Sequence, residues 1–432
     1  MKMCATIIAM SVAILCSLTM AASVVESYDV RAYGAKGDGK TKDTQALQRA
    51  IDAASAAGGG TVELPSGTYV TGTLLLRDNV DFHLSVGATL LGSPDRADYL
   101  GEGLFPQNIS GRTVSSSHLV LGIGCRNVTL RGPGKIAGNS AAFLIDPDTG
   151  KRWESKPGHP WVTDIPWRPF NMVLLVDARD VRILDLELAD SPCYSCTLLD
   201  CERAWVRGCY IHTSTDPLAF NGDGLGINRS RHVVVSDCVI DTSDDCLTLR
   251  AGEFKPNPAN SRDDCAFVTV ANCVLKSTCS AVRVGCGHGS IHDATLSGLV
   301  IENASTALNF VSGYTHDEPG AEIRDIVVSN VRVHEAKTFL KIHHMRAGDR
   351  AVSGLRFENV SGCSRGESFI YAKSVRPFGG ILFSNVDVTP GVQIVNAPEV
   401  EFRGGSFSAV KMSAADAEAL SAAIDEEGKI LY

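Results

Sequence analysis

From about residue 181 onward the chain repeats one short unit: an alternating apolar run, a small or polar residue, then Cys, Val or Leu, then another alternating apolar residue. It reads RILDLEL, WVRGCYI, VVSDCVI, TVANCVL, TLSGLVI, VVSNVRV, RFENVSG and LFSNVDV. The equivalent residues are Leu186, Cys209, Cys238, Cys273, Leu299, Val331, Val360 and Val386, separated by 23, 29, 35, 26, 32, 29 and 26 residues. Period-two alternation sends successive side chains to opposite faces of a strand. A minimum spacing with variable additions marks one structural turn per repeat, with the additions in loops. Each repeat carries a second alternating run and leaves no room for a ten-residue helix, which excludes a barrel of alternating strands and helices. The pattern predicts an all-β right-handed parallel β-helix whose coils stack about one strand spacing, ~4.8 Å, apart.

A solenoid needs covered ends. Residues 42–57 place Ala46, Leu47, Ala50, Ile51 and Ala54 on one helical face and stop at Gly58-Gly59-Gly60, which predicts an N-terminal capping helix. Near the other end, Ser413, Asp416 and an alanine-rich stretch to about Ile424 predict a short amphipathic helix over the last coil. Residues 1–22 have the layout of a secretory signal peptide: Met1-Lys2, an apolar stretch from Ile7 to Leu18, then Ala21 and Ala22. The expected organisation is a signal peptide at 1–22 followed by a single β-helix domain at 23–432. The chain is then secreted or periplasmic.

The 432 residues carry a net charge of −9, which argues against nucleic acid and an anionic membrane as partners, because both demand a basic surface. A poly- or oligosaccharide substrate and a monomeric state are expected. Of 14 cysteines, Cys4 and Cys16 leave with the signal. Cys209, Cys238 and Cys273 fall at equivalent repeat positions, where they stack as small apolar rungs. No second Cys pair or nearby histidine set completes a zinc spacing around Cys193 and Cys196, so neither a metal nor another cofactor is expected.

The second run of each central repeat aligns through inward pairs: Leu225 with Ile227, Leu247 with Leu249, Val282 with Val284, Leu308 with Phe310, Leu340 with Ile342. In that register Asp223 lies beneath Asp245, 22 residues on, with Asp244 beside it. Three carboxylates on two adjacent coils repel one another, and one of them should then hold a proton at neutral pH, as a general acid must. A turn role for Asp223 and Asp245 is the structural alternative.

On these motifs the chain resembles glycoside hydrolase family 28, the polygalacturonase family. The stretch from Val30 to Leu76, NVTLRGPGKIAG at 127–138 and RPFNMVLLVDARDVRILDLELADSP at 168–192 are similar to its bacterial members. The family's Asn-Thr-Asp-Gly corresponds to Asn221-Gly222-Asp223-Gly224, and its Asp-Asp-Cys to Asp244-Asp245-Cys246. The resemblance implies that Asp244 protonates the glycosidic oxygen while Asp223 and Asp245 hold and activate water, with inversion at the anomeric carbon. Asn221 joins the substrate-binding set on the same ground.

Two family motifs are altered. Gly287-His288-Gly289 follows the strand instead of preceding it, so the family's histidine position falls at Cys279 or Ser280, and His288 borders the cleft from a loop. The family's Arg-Ile-Lys, a receptor for the substrate carboxylate, corresponds to Asn309-Phe310-Val311. Arg283 one coil below Asn309 and Lys341 one coil above could rebuild a positive site. His343 and His344, and Trp161 and Trp167 in an insertion at 142–168, are further candidates, the tryptophans either for sugar stacking or for packing the loop. The expected substrate is pectin-type, galacturonan or rhamnogalacturonan-like. A polysaccharide lyase on the same fold and a noncatalytic carbohydrate-binding β-helix are the alternatives.

Overall fold

The computed structural model describes residues 26–410 except 101–116, 154–164, 214–218, 253–262, 314–319, 345–348 and 374–377. Within these gaps only the backbone of two short antiparallel pairs is defined, Gln107–Ile109 with Arg112–Val114 and Ser155–Lys156 with His159–Thr163. The signal segment, the segment at 413–424 and the Trp161 side chain lie outside the described residues.

Among the described residues 32 strands join in one parallel ladder running from Ser27 to Val410. Each coil contributes up to three strands. One coil supplies Asn171–Val176, Arg179–Leu184 and Glu187–Ser191, and these pair in parallel with Tyr194–Leu199, Glu202–Arg207 and Tyr210–Thr213 of the next. The architecture is the right-handed parallel β-helix that the repeat predicts.

The small or polar residue ahead of each repeat's key position turns out to be a corner. Asp185, Gly208, Asp237, Asn272, Gly298, Asn330, Asn359 and Asn385 all have φ between 53° and 66°. That left-handed conformation is accessible to Gly and, at modest cost, to Asn and Asp. Three asparagine amides tie the corner column together: Asn272 Nδ2 donates to Asp237 Oδ1 at 3.4 Å, Asn359 Nδ2 to Asn330 Oδ1 at 3.4 Å, and Asn385 Nδ2 to Asn359 Oδ1 at 2.9 Å. The next residue then points inward, so Cys209, Cys238 and Cys273 stack as buried rungs, and all 12 cysteines of the described chain are free thiols.

Helix α1 (Thr44–Ala56) closes the N-terminal end, burying Ala46, Leu47, Ala50, Ile51 and Ala54. Removing side chains the size of Leu47 and Ile51 from water contributes roughly 1.5–3 kcal/mol each. Asp43, just ahead of it, does not cap the helix; its carboxylate accepts the backbone N–H groups of Lys36 (2.7 Å) and Gly37 (2.9 Å) and so fixes the entering loop. Trp167 packs inside its insertion, 5.5 Å from the Phe143 ring and 5.3 Å from Tyr99, which settles its two predicted roles in favour of packing.

Candidate active site

Five strands carry the site: β1 (Leu225–Asn228), β2 (Leu247–Ala251), β3 (Ser280–Gly287), β4 (Val300–Val311) and β5 (Glu322–His343). Leu225 pairs with Leu247, Leu247 with Val282, Val282 with Leu308 and Leu308 with Leu340, which is the register read from the inward pairs. Asp223 and Asp245 therefore occupy stacked positions just before β1 and β2, and the Gly224 N–H donates to the Asp245 carbonyl at 2.9 Å. At Gly222, where the family motif has Thr, a Cβ would meet the Ser243 hydroxyl and lie 2.9 Å from the Ala219 carbonyl, so a side chain here needs Ser243 to shift.

The three carboxylates sit in different electrostatic surroundings. Asp245 is 2% exposed and is gripped at both oxygens by Arg283, through Nε to Oδ2 and through Nη2 to Oδ1 at 3.2 Å, while the Ser280 N–H donates to Oδ1 at 3.1 Å. Burial works to raise its pKa, but the Arg283 charge and hydrogen bonds outweigh that and hold it below the usual carboxylate range. Asp244 is partly exposed and has no arginine against it; its Oδ1 accepts the Asp245 N–H at 2.9 Å. Burial, then the Asp245 charge, lift its pKa to about 6. Asp223 is buried, with Arg250 Nη2 donating to Oδ2 at 3.3 Å. Burial and the Asp244 charge push it well above the ordinary value despite that arginine.

In this register Cys279 lies over Asp244 and Ser280 over Asp245, the two positions at which the family histidine was expected. Ligand atoms of Asp244, Asp245 and Cys279 fall within 4.8 Å of one another, the one such group of His, Cys, Asp or Glu found among the described residues. The Arg283 guanidinium already neutralises Asp245, and the Cys279 thiol, raised by burial and by both aspartates, stays protonated; this donor set fits a metal poorly.

Arg283, Asn309 and Lys341 form one outward column, as predicted. Arg283 is committed to Asp245. Asn309 donates through Nδ2 to Ser280 Oγ at 3.3 Å, and its buried Oδ1 has no partner. The Lys341 ammonium sits 5.6 Å from the Phe369 ring centre; burial is the main cause that takes its pKa down to about 8. His343, next outward on β5, is 4% exposed, with its Nδ1 unpartnered and its ring edge on Phe369. Burial, then Lys341, lower its pKa to about 3, so it is neutral. His344 is core: its Nε2 is 2.8 Å from the Arg350 carbonyl and its ring lies against Phe378.

Asn221 is held in a left-handed conformation (φ 55°), and Arg168 Nη2 donates to its Oδ1 at 3.0 Å. His288 is partly exposed in the turn after β3, where its N–H donates to the Ala251 carbonyl at 2.7 Å. Both flanking glycines are forced by the neighbouring coil, since a Cβ at Gly287 would strike the Ala251 carbonyl and one at Gly289 the Asp263 carbonyl. The Gly-His-Gly here is thus a turn requirement away from the carboxylates' register. Sequence reasoning missed Arg250, Arg168 and Tyr194, whose ring lies 5.7 Å from the Arg250 guanidinium carbon. Arg250 was legible as the outward residue after Leu249; Arg168 lies outside any strand, and Tyr194 opens the strand Tyr194–Leu199 at its turn end, where the apolar alternation gives no signal.

Residues 111–293 match the family model described as glycosyl hydrolases family 28, and residues 27–130 match a model described as rhamnogalacturonase A/epimerase, pectate lyase-like. Over that middle stretch the chain is similar to glycosyl hydrolases family 28. The family-28 model thus covers the carboxylate cluster and β1 to β3. An exo-poly-alpha-D-galacturonosidase of Dickeya chrysanthemi is 28% identical over 267 residues, which are 54% of this chain and 43% of that protein. A probable polygalacturonase of Vitis vinifera is 22% identical over 82% of this chain and 73% of its own. Among solved structures, a family 28 exopolygalacturonase of Yersinia enterocolitica superposes with a TM-score of 0.69 at 20% identity, covering 89% of this chain and 77% of that one. The chain thus spans less than half the length of the first of these relatives. Asn309-Phe310-Val311, read from the sequence as the counterpart of the family's Arg-Ile-Lys, lies beyond the residues that the family-28 model matches.

Proposed function

We propose that this protein is an exported, inverting hydrolase of family 28 type, acting on pectin-type polysaccharides or their oligosaccharides. One observation carries the reading: of two adjacent carboxyls, Asp245 is fixed as an anion by Arg283 while Asp244 is lifted to about 6. A carboxylic acid beside a carboxylate supplies the acid and the base for hydrolysis of a glycosidic bond; the inverting outcome rests on the family resemblance, since oxygens of the two lie within 4.8 Å, closer than the usual inverting separation. Water attacks the anomeric carbon as Asp245 takes its proton; the C–O bond breaks, and the leaving oxygen takes the proton of Asp244. Solvent then returns a proton to Asp244 and removes one from Asp245. Asp223, stacked under Asp245, helps hold the water, and its raised pKa leaves the larger share of base work to Asp245.

Lys341, with the unpartnered Asn309 Oδ1 and His343 Nδ1 beside it, supplies the sugar-binding polarity of the coils above. Asn221, beside Asp223, and His288, in the turn after β3, are further candidates for contact with the sugar chain. A single cation of reduced pKa is a weaker uronate receptor than a two-bond arginine, which favours substrates in which some uronates are substituted or interspersed with neutral sugars. The lyase alternative needs an arginine able to accept a proton, whereas Arg250 and Arg283 are both paired with carboxylates as cations.

The test is Asp244→Asn assayed on a panel of pectin fragments, with products read by mass and anomeric configuration by NMR. A loss of kcat of about 10²–10⁴ with KM nearly unchanged is expected, together with inverted product from the unmodified protein. Near-normal turnover in Asp244→Asn, or an unsaturated product, overturns the proposal.

A further inference from the structure

Two arginines lie among the three aspartates, and both come from the strand side of the site. Arg250, on β2, reaches Asp223 on the coil below; Arg283, on β3, reaches Asp245 on the coil below. Asp244 receives neither. The Asp245 contact is the tighter one, with two guanidinium nitrogens on two carboxylate oxygens and the Ser280 N–H as a third donor. The Arg283 side chain is 15% exposed and its Nη2 also lies 3.7 Å from Cys279 Sγ, so the head group is packed into the site wall. A planar fork of donors against a planar carboxylate fixes the orientation as well as the charge of its partner. The charged and titratable groups that face Asp245 among the described residues are Asp244 and Arg250 on its own coil, Asp223 below, and Arg283 and Cys279 above, with Lys341 two coils further on.

We infer that Arg283 is a positioning residue: its two-bond grip holds Asp245 ionised and aimed, confining the pair's proton to Asp244 and so setting the direction of proton flow across the site. The inference rests on the hydrolase reading and goes beyond it, because it assigns to Arg283 a role through Asp245 in place of contact with a substrate carboxylate.

The experiment compares the full-length protein with Arg283→Gln and Arg283→Lys, reading kcat, KM and the pH profile on pectin fragments, and the titration of aspartate carboxyls by ¹³C NMR. Arg283→Gln is expected to lower kcat by about 10²-fold or more with KM within about threefold, and to move the acid limb of kcat/KM upward by about one unit. Arg283→Lys, which keeps the charge and loses the fork, falls between. In the titration, one carboxyl that stays ionised below the usual range in the unmodified protein moves up in either variant. A tenfold or larger rise in KM with kcat and both pH limbs unmoved assigns Arg283 to substrate binding and overturns the inference; so does a carboxyl titration that either variant leaves unchanged. The titration needs no turnover, so failure to cleave any pectin fragment counts against the hydrolase reading alone.

Discussion

At the scale of single residues, the site works by making chemically identical side chains unlike. Asp244 and Asp245 are neighbours in sequence, yet one has its pKa raised by burial and by its neighbour's charge, and the other has its pKa lowered by Arg283. The pH dependence follows. Asp244 acts only when protonated, so the rate should fall as pH climbs through about 6, and Asp245 acts only when ionised, so the acid limb should lie below the ordinary carboxylate range. A kcat/KM profile with its maximum on the acid side of pH 6 is the expected measurement; a maximum above pH 7 contradicts the assignment. The same shift has a cost in stability. With its folded pKa raised, Asp244 contributes stability in full below its unfolded value and loses it as pH rises through about 6. Asp223, also raised, acts in the same sense, whereas Asp245, held low by Arg283, contributes stability at neutral pH.

At the scale of elements, the ladder places each side chain through its corners. The Asn, Asp and Gly column that precedes every inward rung sets which face the following residues take, and one residue of slip would turn Arg283 into the core. The turn after β3 shows how little room the stacking leaves. Gly287 has φ 106° and its α-carbon faces the Ala251 carbonyl of the coil below. Gly287→Ala is therefore expected to destabilise by roughly 2 kcal/mol or more, seen as a lower midpoint in urea unfolding. His288→Ala in the same turn should leave that midpoint in place, and a drop comparable to that of the glycine variant would show that the histidine, too, is structural.

At the scale of the whole molecule, cohesion comes from the stacked interior and the capping helix. Among the described residues the 12 cysteines are free, 10 of them buried, and three act as rungs between Val and Leu layers. Melting temperatures measured with and without dithiothreitol should agree within about 1 °C; a drop of about 5 °C or more in reductant would reveal a disulfide contribution. The interior is also what keeps the aspartates in place, since the Leu225, Leu247 and Val282 layers beneath them are fully buried and fix the spacing from coil to coil.

The linear sequence determined the coil, because period-two alternation and a repeated corner residue are local properties that each segment expresses by itself. It also determined which aspartates stack, once the inward Leu and Val pairs supplied the register. What it did not determine was the partner of each charge. Arg283 reads equally well as a substrate receptor or as a carboxylate partner until the reach of its side chain across one coil is known, and nothing near Asn221 in the sequence shows that Arg168, 53 residues earlier, holds its side chain. Such contacts depend on rotamers and loop paths that carry no period. Only the tertiary structure could decide them, because burial and the neighbour across the coil, not residue type, decide where a proton sits.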